Sequence, residues 1–133
     1  MATAVKRYID ESWFSIDERT FNRLDEDWDH NVSEVAIAIA GIAREAREFK
    51  IGITVDPKWC WFTCAGGAYS KRFTKMTLVY VANSSKPKHR HSTGNMEIAQ
   101  IEKFKYDDRC LNVADGGETP SGGSPHFCYV VSN

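Results

Sequence analysis

The sequence predicts an α+β domain: a small three-stranded, mostly antiparallel sheet flanked by helices, preceded by a helical extension. Three observations lead there. Lys50–Val55 (KIGITV), Met76–Ala82 (MTLVYVA) and Phe127–Val131 (FCYVV) have the length and β-branched or aromatic content of strands. Between and before them lie segments whose apolar residues recur at three and four, the spacing of a helix face. Turn chemistry at Asp56-Pro57, Gly66-Gly67 and Gly122-Gly123-Ser124-Pro125 separates the two kinds of segment.

Taken in order, residues 1–11 show no clear period and read as a loose arm. Ser15-Ile16-Asp17-Glu18 has the form of a capping box, and Phe21, Leu24 and Trp28 follow at helical spacing, so a helix is expected over 16–28 with an acidic outer face. Ser33 is the expected cap of a second helix, with Val35, Ile39, Ile42, Ala46 and Phe49 on one stripe. Val35 to Ala40 also alternates, so a strand paired with Phe49–Val55 competes for the same residues. After the first strand, Trp59-Cys60-Trp61-Phe62 is expected to form a short helix. Asn83–Thr93 (NSSKPKHRHST) is a polar basic loop, and Thr93 opens a third helix over 94–106 with Met96, Ile98, Ile101 and Phe104 as its apolar positions. Glu97 lies four residues before Ile101 and seven before Phe104, which places a carboxylate on the core-facing stripe. Such a group must be paired, hydrogen-bonded or bound to a metal, because burying it alone is costly.

At 133 residues, with 42% hydrophobic and 26% charged side chains, the chain has the size and balance of one soluble domain. It has no run of eighteen apolar residues and no signal-peptide core at MATAVKRYIDESW, so no membrane partner and an intracellular location, cytoplasmic or nuclear, are expected. The four cysteines, Cys60, Cys64, Cys110 and Cys128, are then expected to be thiols or ligands rather than disulfides. A net charge of -1 hides an asymmetry, for residues 1–49 carry six basic and eleven acidic side chains and residues 50–133 carry eleven and seven. Lys58, Lys71, Arg72, Lys75, Lys86, Lys88 and Arg90 occur in a stretch, Pro57 to Met96, that contains no Asp or Glu. Such a stretch suits a polyanion, although a solvated surface would have the same composition. Trp59, Trp61, Phe62, Tyr69 and Phe73 interleave with these cations, a mixture that can stack bases while gripping phosphates or simply pack a core.

The stretch KIGITVDPKWCW resembles the second conserved block of the GIY-YIG endonuclease superfamily, in the divergent branch where KIGIT stands in place of YIG. The family's arginine falls eight residues after the glycine, which is Cys60 here; its metal-binding glutamate precedes an asparagine by fifteen, matching Glu97 and Asn112 of LNVAD. The resemblance covers about residues 49–116. It implies a GIY-YIG-like domain over 33–133, with 1–32 as an acidic N-terminal helical extension, and cleavage of DNA phosphodiesters with one Mg²⁺ or Mn²⁺ held by Glu97. Lys50, Glu97, Asn112 and Tyr129 are the catalytic residues it implies. Lys50 stands where the second tyrosine would be, where an ammonium can stabilise charge but is a poor base. Tyr129, on the closing strand, would replace the missing first-strand hydroxyl, and Lys58 or Arg72 the missing guanidinium. A thiol at position 60 supplies no fixed cation to a phosphate. The site could therefore be degenerate, and a non-catalytic nucleic-acid-binding or protein-interaction module on the same scaffold is the alternative.

A structural Zn²⁺ held by Cys60-x3-Cys64 with His89-x-His91 or His126-x-Cys128 is a lesser possibility, since the spacings are not those of paired CxxC sites. No P-loop, G-x-S-x-G or HExxH pattern is present, which leaves the common NTPase, hydrolase and zincin chemistries without support.

Overall fold

The computed structural model describes residues 11–17, 27–63, 68–83, 85–112 and 125–133. Among these residues it is α+β, with three helices and a four-stranded mixed sheet. In chain order these are β1 (Phe14–Ile16), α1 (Val32–Glu45), β2 (Phe49–Thr54), α2 (Pro57–Thr63), β3 (Lys75–Ala82), α3 (Ser92–Phe104) and β4 (His126–Ser132). Single 3-10 turns stand at Trp28–Asn31, Tyr69–Lys71 and Pro87–His89.

The sheet order is β1-β3-β4-β2, so the closing strand of the chain sits inside the sheet. β4 is antiparallel to both neighbours, pairing Phe49 with Ser132 and Thr54 with Phe127 on one side and Lys75 with Ser132 and Ala82 with His126 on the other. β2, β4 and β3 are thus antiparallel neighbours, but the sheet expected to have three strands has four and is mixed. The correction is β1: Phe14, Ser15 and Ile16 pair in parallel with Met76, Thr77 and Leu78, adding a fourth strand. Ser15 therefore does not cap a helix. Its hydroxyl meets that of Thr77 across the ladder at 3.0 Å, while Phe14 packs into the core. Burial of Trp13 and Phe14 outweighs the local capping signal, as burial of large apolar area commonly does. Most of the helix expected over 16–28 lies outside the described residues, and Trp28 begins a 3-10 turn.

Residues 35–40 are helical rather than extended, and burial shows why. Val35 and Ile39 are fully buried whereas Ile37 is 60% exposed, a pattern of period 3.6 that a strand, which would put all three on one face, cannot produce. The helix starts at Val32, so Ser33 lies in its first turn; Asn31 holds the cap position and donates its Nδ2 to the carbonyl of Asp27 at 3.3 Å.

Both faces of the sheet are covered, which is why Leu78-Val79-Tyr80-Val81 is buried throughout. A bulge between Leu78 and Tyr80 shifts the register by one residue. It lets Val79 and Tyr80 both pack with α1 and α3, alongside Phe49, Ile51, Cys128 and Val130. The other face holds Met76, Leu78, Val81, Phe127, Tyr129 and Val131 against Trp13, Phe14 and α2. Gln100, fully buried on α3, ties the two helices together by donating Nε2 to the carbonyl of Val32 at 2.9 Å.

Among the described residues β2 forms one edge of the sheet, and the segment after α3 closes it. Phe49 N–H donates to the carbonyl of Arg109 at 2.9 Å and Leu111 N–H donates to that of Phe49 at 2.8 Å. Two residues on, the Asn112 carboxamide continues the ladder, accepting from Ile51 N–H at 2.9 Å and donating to the Ile51 carbonyl at 2.8 Å. An edge strand's unpaired backbone groups are thus satisfied internally. No helix among the described residues is long and apolar enough to cross a membrane.

Candidate nucleic-acid interface

The site begins with Gly52. It pairs directly with Tyr129 across the β2–β4 ladder, and the tyrosine ring lies over it: a β-carbon at position 52 would stand 2.3 Å from Tyr129 Oη and 2.4 Å from Cζ. The glycine inside the strand therefore marks a close approach, and what approaches is a side chain of the neighbouring strand. Seated there, the Tyr129 hydroxyl donates to Tyr69 Oη at 3.0 Å and accepts from the Cys60 thiol at 3.8 Å. Burial first, and then the neighbouring Cys60 and Tyr69, push the Tyr129 phenol far above its ordinary range. It stays neutral at any physiological pH, and its role is to fix the Tyr69 ring.

Tyr69 in turn forms one wall of a hollow of about 320 Å³, lined also by Lys50, Lys71, Arg72, Phe73 and Leu111. The ammonium of Lys50 lies 5.7 Å from the Tyr69 ring centroid, within cation–π range. Phe73 packs edge-on to Tyr69 with centroids 5.9 Å apart. Arg72 forks onto Glu48, Nε to Oε1 at 3.1 Å and Nη2 to Oε2 at 3.2 Å, and Asn133 Nδ2 supports the same carboxylate at 3.2 Å. The Arg72 hydrogen bond holds the Glu48 carboxyl below its usual range. Arg72 is thereby oriented and its charge matched, leaving Lys50 and Lys71 as the positive excess of the hollow.

The catalytic residues implied by the resemblance occupy three places. Lys50 and Tyr129 share the face of the sheet that carries α2, together with Cys60. Glu97 is buried on α3, as its stripe position predicts, but α3 covers the opposite face, where the carboxylate acts on the Cys128 thiol. Burial, and secondarily Glu97, raise the Cys128 pKa well above that of an ordinary thiol. Asn112 sits at the sheet edge with both ends of its carboxamide engaged by the Ile51 backbone. The sheet itself stands between Glu97 and the Lys50 hollow.

The basic stretch divides as well. Lys71 and Arg72 line the hollow, whereas Lys75 starts β3 in register with Ser132 and Phe49, on the opposite face of the sheet. Lys86, Lys88 and Arg90 follow the far end of β3, about 23 Å away for its eight residues. Lys88 there pairs with Asp27 at 3.5 Å. Lys58 lies in the first turn of α2. Of the interleaved aromatics, Trp61 and Phe73 belong to the core, whereas Trp59 and Phe62 are each 50% exposed.

For the zinc set, Cys64 lies outside the described residues. Cys60 and Cys128 occupy opposite faces of the sheet. The one group of three potential metal ligands among the described residues is Asp27, Asp29 and His30, all exposed.

Sequence reasoning missed the pairing of Glu48 with Arg72 and the part played by Leu111, because neither contact leaves a periodic or motif signal. The Gly52–Tyr129 fit had a signal, the glycine, without an indication of its partner. Comparison of the chain with protein-family models, with curated proteins and with solved structures found no match in any of the three.

Proposed function

We propose that the chain is a non-catalytic nucleic-acid-binding module, with the hollow between β2 and the Tyr69–Lys71 turn as its phosphate site. One observation carries this reading: Lys50 and Lys71 converge with the Tyr69 ring on a single hollow, where the one carboxylate described, Glu48, is already matched by Arg72. Cations on a ring-lined wall suit a phosphate with a base or sugar beside it. The hydrolytic reading needs Glu97 and Lys50 on one phosphate, and the opposed faces of the sheet favour the binding reading over it.

The test is equilibrium binding of a fluorescent oligonucleotide in EDTA over a range of salt concentrations. Each phosphate neutralised contributes about 0.7–0.9 to the slope of log affinity against log salt. Lys50→Ala with Lys71→Ala should lower that slope by about 1.5, and an unchanged slope removes the hollow from the interface. A parallel plasmid assay with Mg²⁺ or Mn²⁺ should show no nicking; nicking that disappears in Glu97→Ala would restore the endonuclease.

A further inference from the structure

α2 carries two features that the hollow does not explain. Trp59 and Phe62, three residues apart and so on neighbouring positions of the helix surface, are each 50% exposed, while Cys60 and Trp61 between them are buried. Large aromatics half in water on a short helix are an unspent surface. Phe62 is held edge-on by Trp13 at 5.5 Å, and Trp13 is stacked on Trp61 at 5.3 Å, so the ring stands on a rigid aromatic base. The helix also packs against the Tyr69–Lys71 turn that walls the hollow. Cys60 on its inner side touches Tyr129, whose hydroxyl meets Tyr69 in the hollow wall. Lys58 adds a cation next to Trp59.

We propose that this surface binds single-stranded nucleic acid, with bases stacked on Trp59 and Phe62 while the backbone runs past Lys58 to the Lys50 and Lys71 hollow. The inference rests on the nucleic-acid reading above and narrows its ligand. Only an unpaired strand offers free base faces to a ring, because in a duplex those faces are stacked on one another. Charge favours this occupant over an apolar protein segment: Lys58 adjoins Trp59, the hollow cations lie on the same face of the sheet, and after Asp56, whose Oδ1 is engaged by the Trp59 N–H at 3.0 Å, no Asp or Glu follows until Glu97.

The experiment uses the full chain and two probes of about 12 nucleotides, within the range of site sizes single-strand binders occupy: a labelled oligothymidine and a duplex of the same length. The wild type should bind the single strand at least tenfold more tightly than the duplex, with quenching of tryptophan emission. Trp59→Ala should lose about tenfold for the single strand and little for the duplex, Trp59→Phe should keep most of the affinity, and Phe62→Leu should lose severalfold. An unchanged denaturation midpoint in Trp59→Ala excludes unfolding as the cause. Equal affinity for both probes, or Trp59→Ala binding as the wild type does, overturns the stacking proposal. If Lys50→Ala with Lys71→Ala still loses affinity in that case, the phosphate site stands without it. Failure of the wild type to bind either probe overturns both.

Discussion

Gly52→Ala is the substitution that separates this account from one in which the glycine is incidental. Alanine in a strand interior is ordinarily better than glycine by about 0.5–1 kcal/mol, since it loses less backbone freedom on folding. Here the added methyl would meet Tyr129 Oη at 2.3 Å, Cζ at 2.4 Å and Cε1 at 3.0 Å. The ring cannot easily yield. It is only 3% exposed on a strand paired on both sides, packs against Tyr69 with centroids 5.8 Å apart, and is anchored through its hydroxyl. Overpacking of this kind costs about 1–3 kcal/mol, and displacing the Tyr129–Tyr69 hydrogen bond adds about 1 kcal/mol. Subtracting the alanine preference leaves a net destabilisation of about 1–3.5 kcal/mol, a large part of a small domain's stability. Urea denaturation should show a lower midpoint at an unchanged slope. In a Tyr129→Leu background, where the ring is gone, the same substitution should cost less than about 0.5 kcal/mol. A Gly52→Ala protein as stable as the wild type, or an equal loss in both backgrounds, would refute the close-approach argument.

Two further outcomes follow from the same contacts. Asn112→Ala removes both hydrogen bonds to the Ile51 backbone and leaves that edge of β2 unpaired, so it should destabilise the protein by about 2–3 kcal/mol while the folded fraction keeps wild-type affinity for nucleic acid. Selective loss of activity without loss of stability would instead make Asn112 functional. The Arg109 side chain holds the Asp107 carboxyl at about 2, below its ordinary value of 3.8. A carboxyl depressed by folding stabilises above its unfolded pKa, so this contribution is complete above about pH 4 and is lost as pH falls towards 2. Asp107→Asn should flatten the stability profile in that window, and a profile identical to wild type would contradict the pairing.

The parts of the fold that could be read from the sequence are those with a strong period or composition. Lys50–Val55, Met76–Ala82 and Phe127–Val131 were legible from their β-branched and aromatic content and fall within a residue of β2, β3 and β4, and Glu97 from its place on a stripe. β1 could not be read, because three residues of a parallel edge strand carry too short a pattern and Ser15 carried a competing capping signal. The bulge at Val79 was hidden too, since in a strand buried on both faces every residue is apolar whatever the register. At the candidate site, the sequence showed the cations and rings but not their division. Proximity along the chain put Lys71 and Lys88 in one basic stretch, and the length of β3 sets them at opposite ends of the sheet. Spacing likewise ordered Glu97 and Asn112, whereas which face of the sheet each one serves depends on how α3 packs.

The most direct measurement is a two-dimensional amide spectrum of the labelled protein titrated with an oligonucleotide in EDTA. The account predicts that the largest shifts fall on Lys50, Tyr69, Lys71 and Arg72 and extend to Lys58 and Trp59, with Glu97 and the rest of α3 unmoved. Shifts centred on residues 85–91, on Glu97, or absent altogether would contradict it.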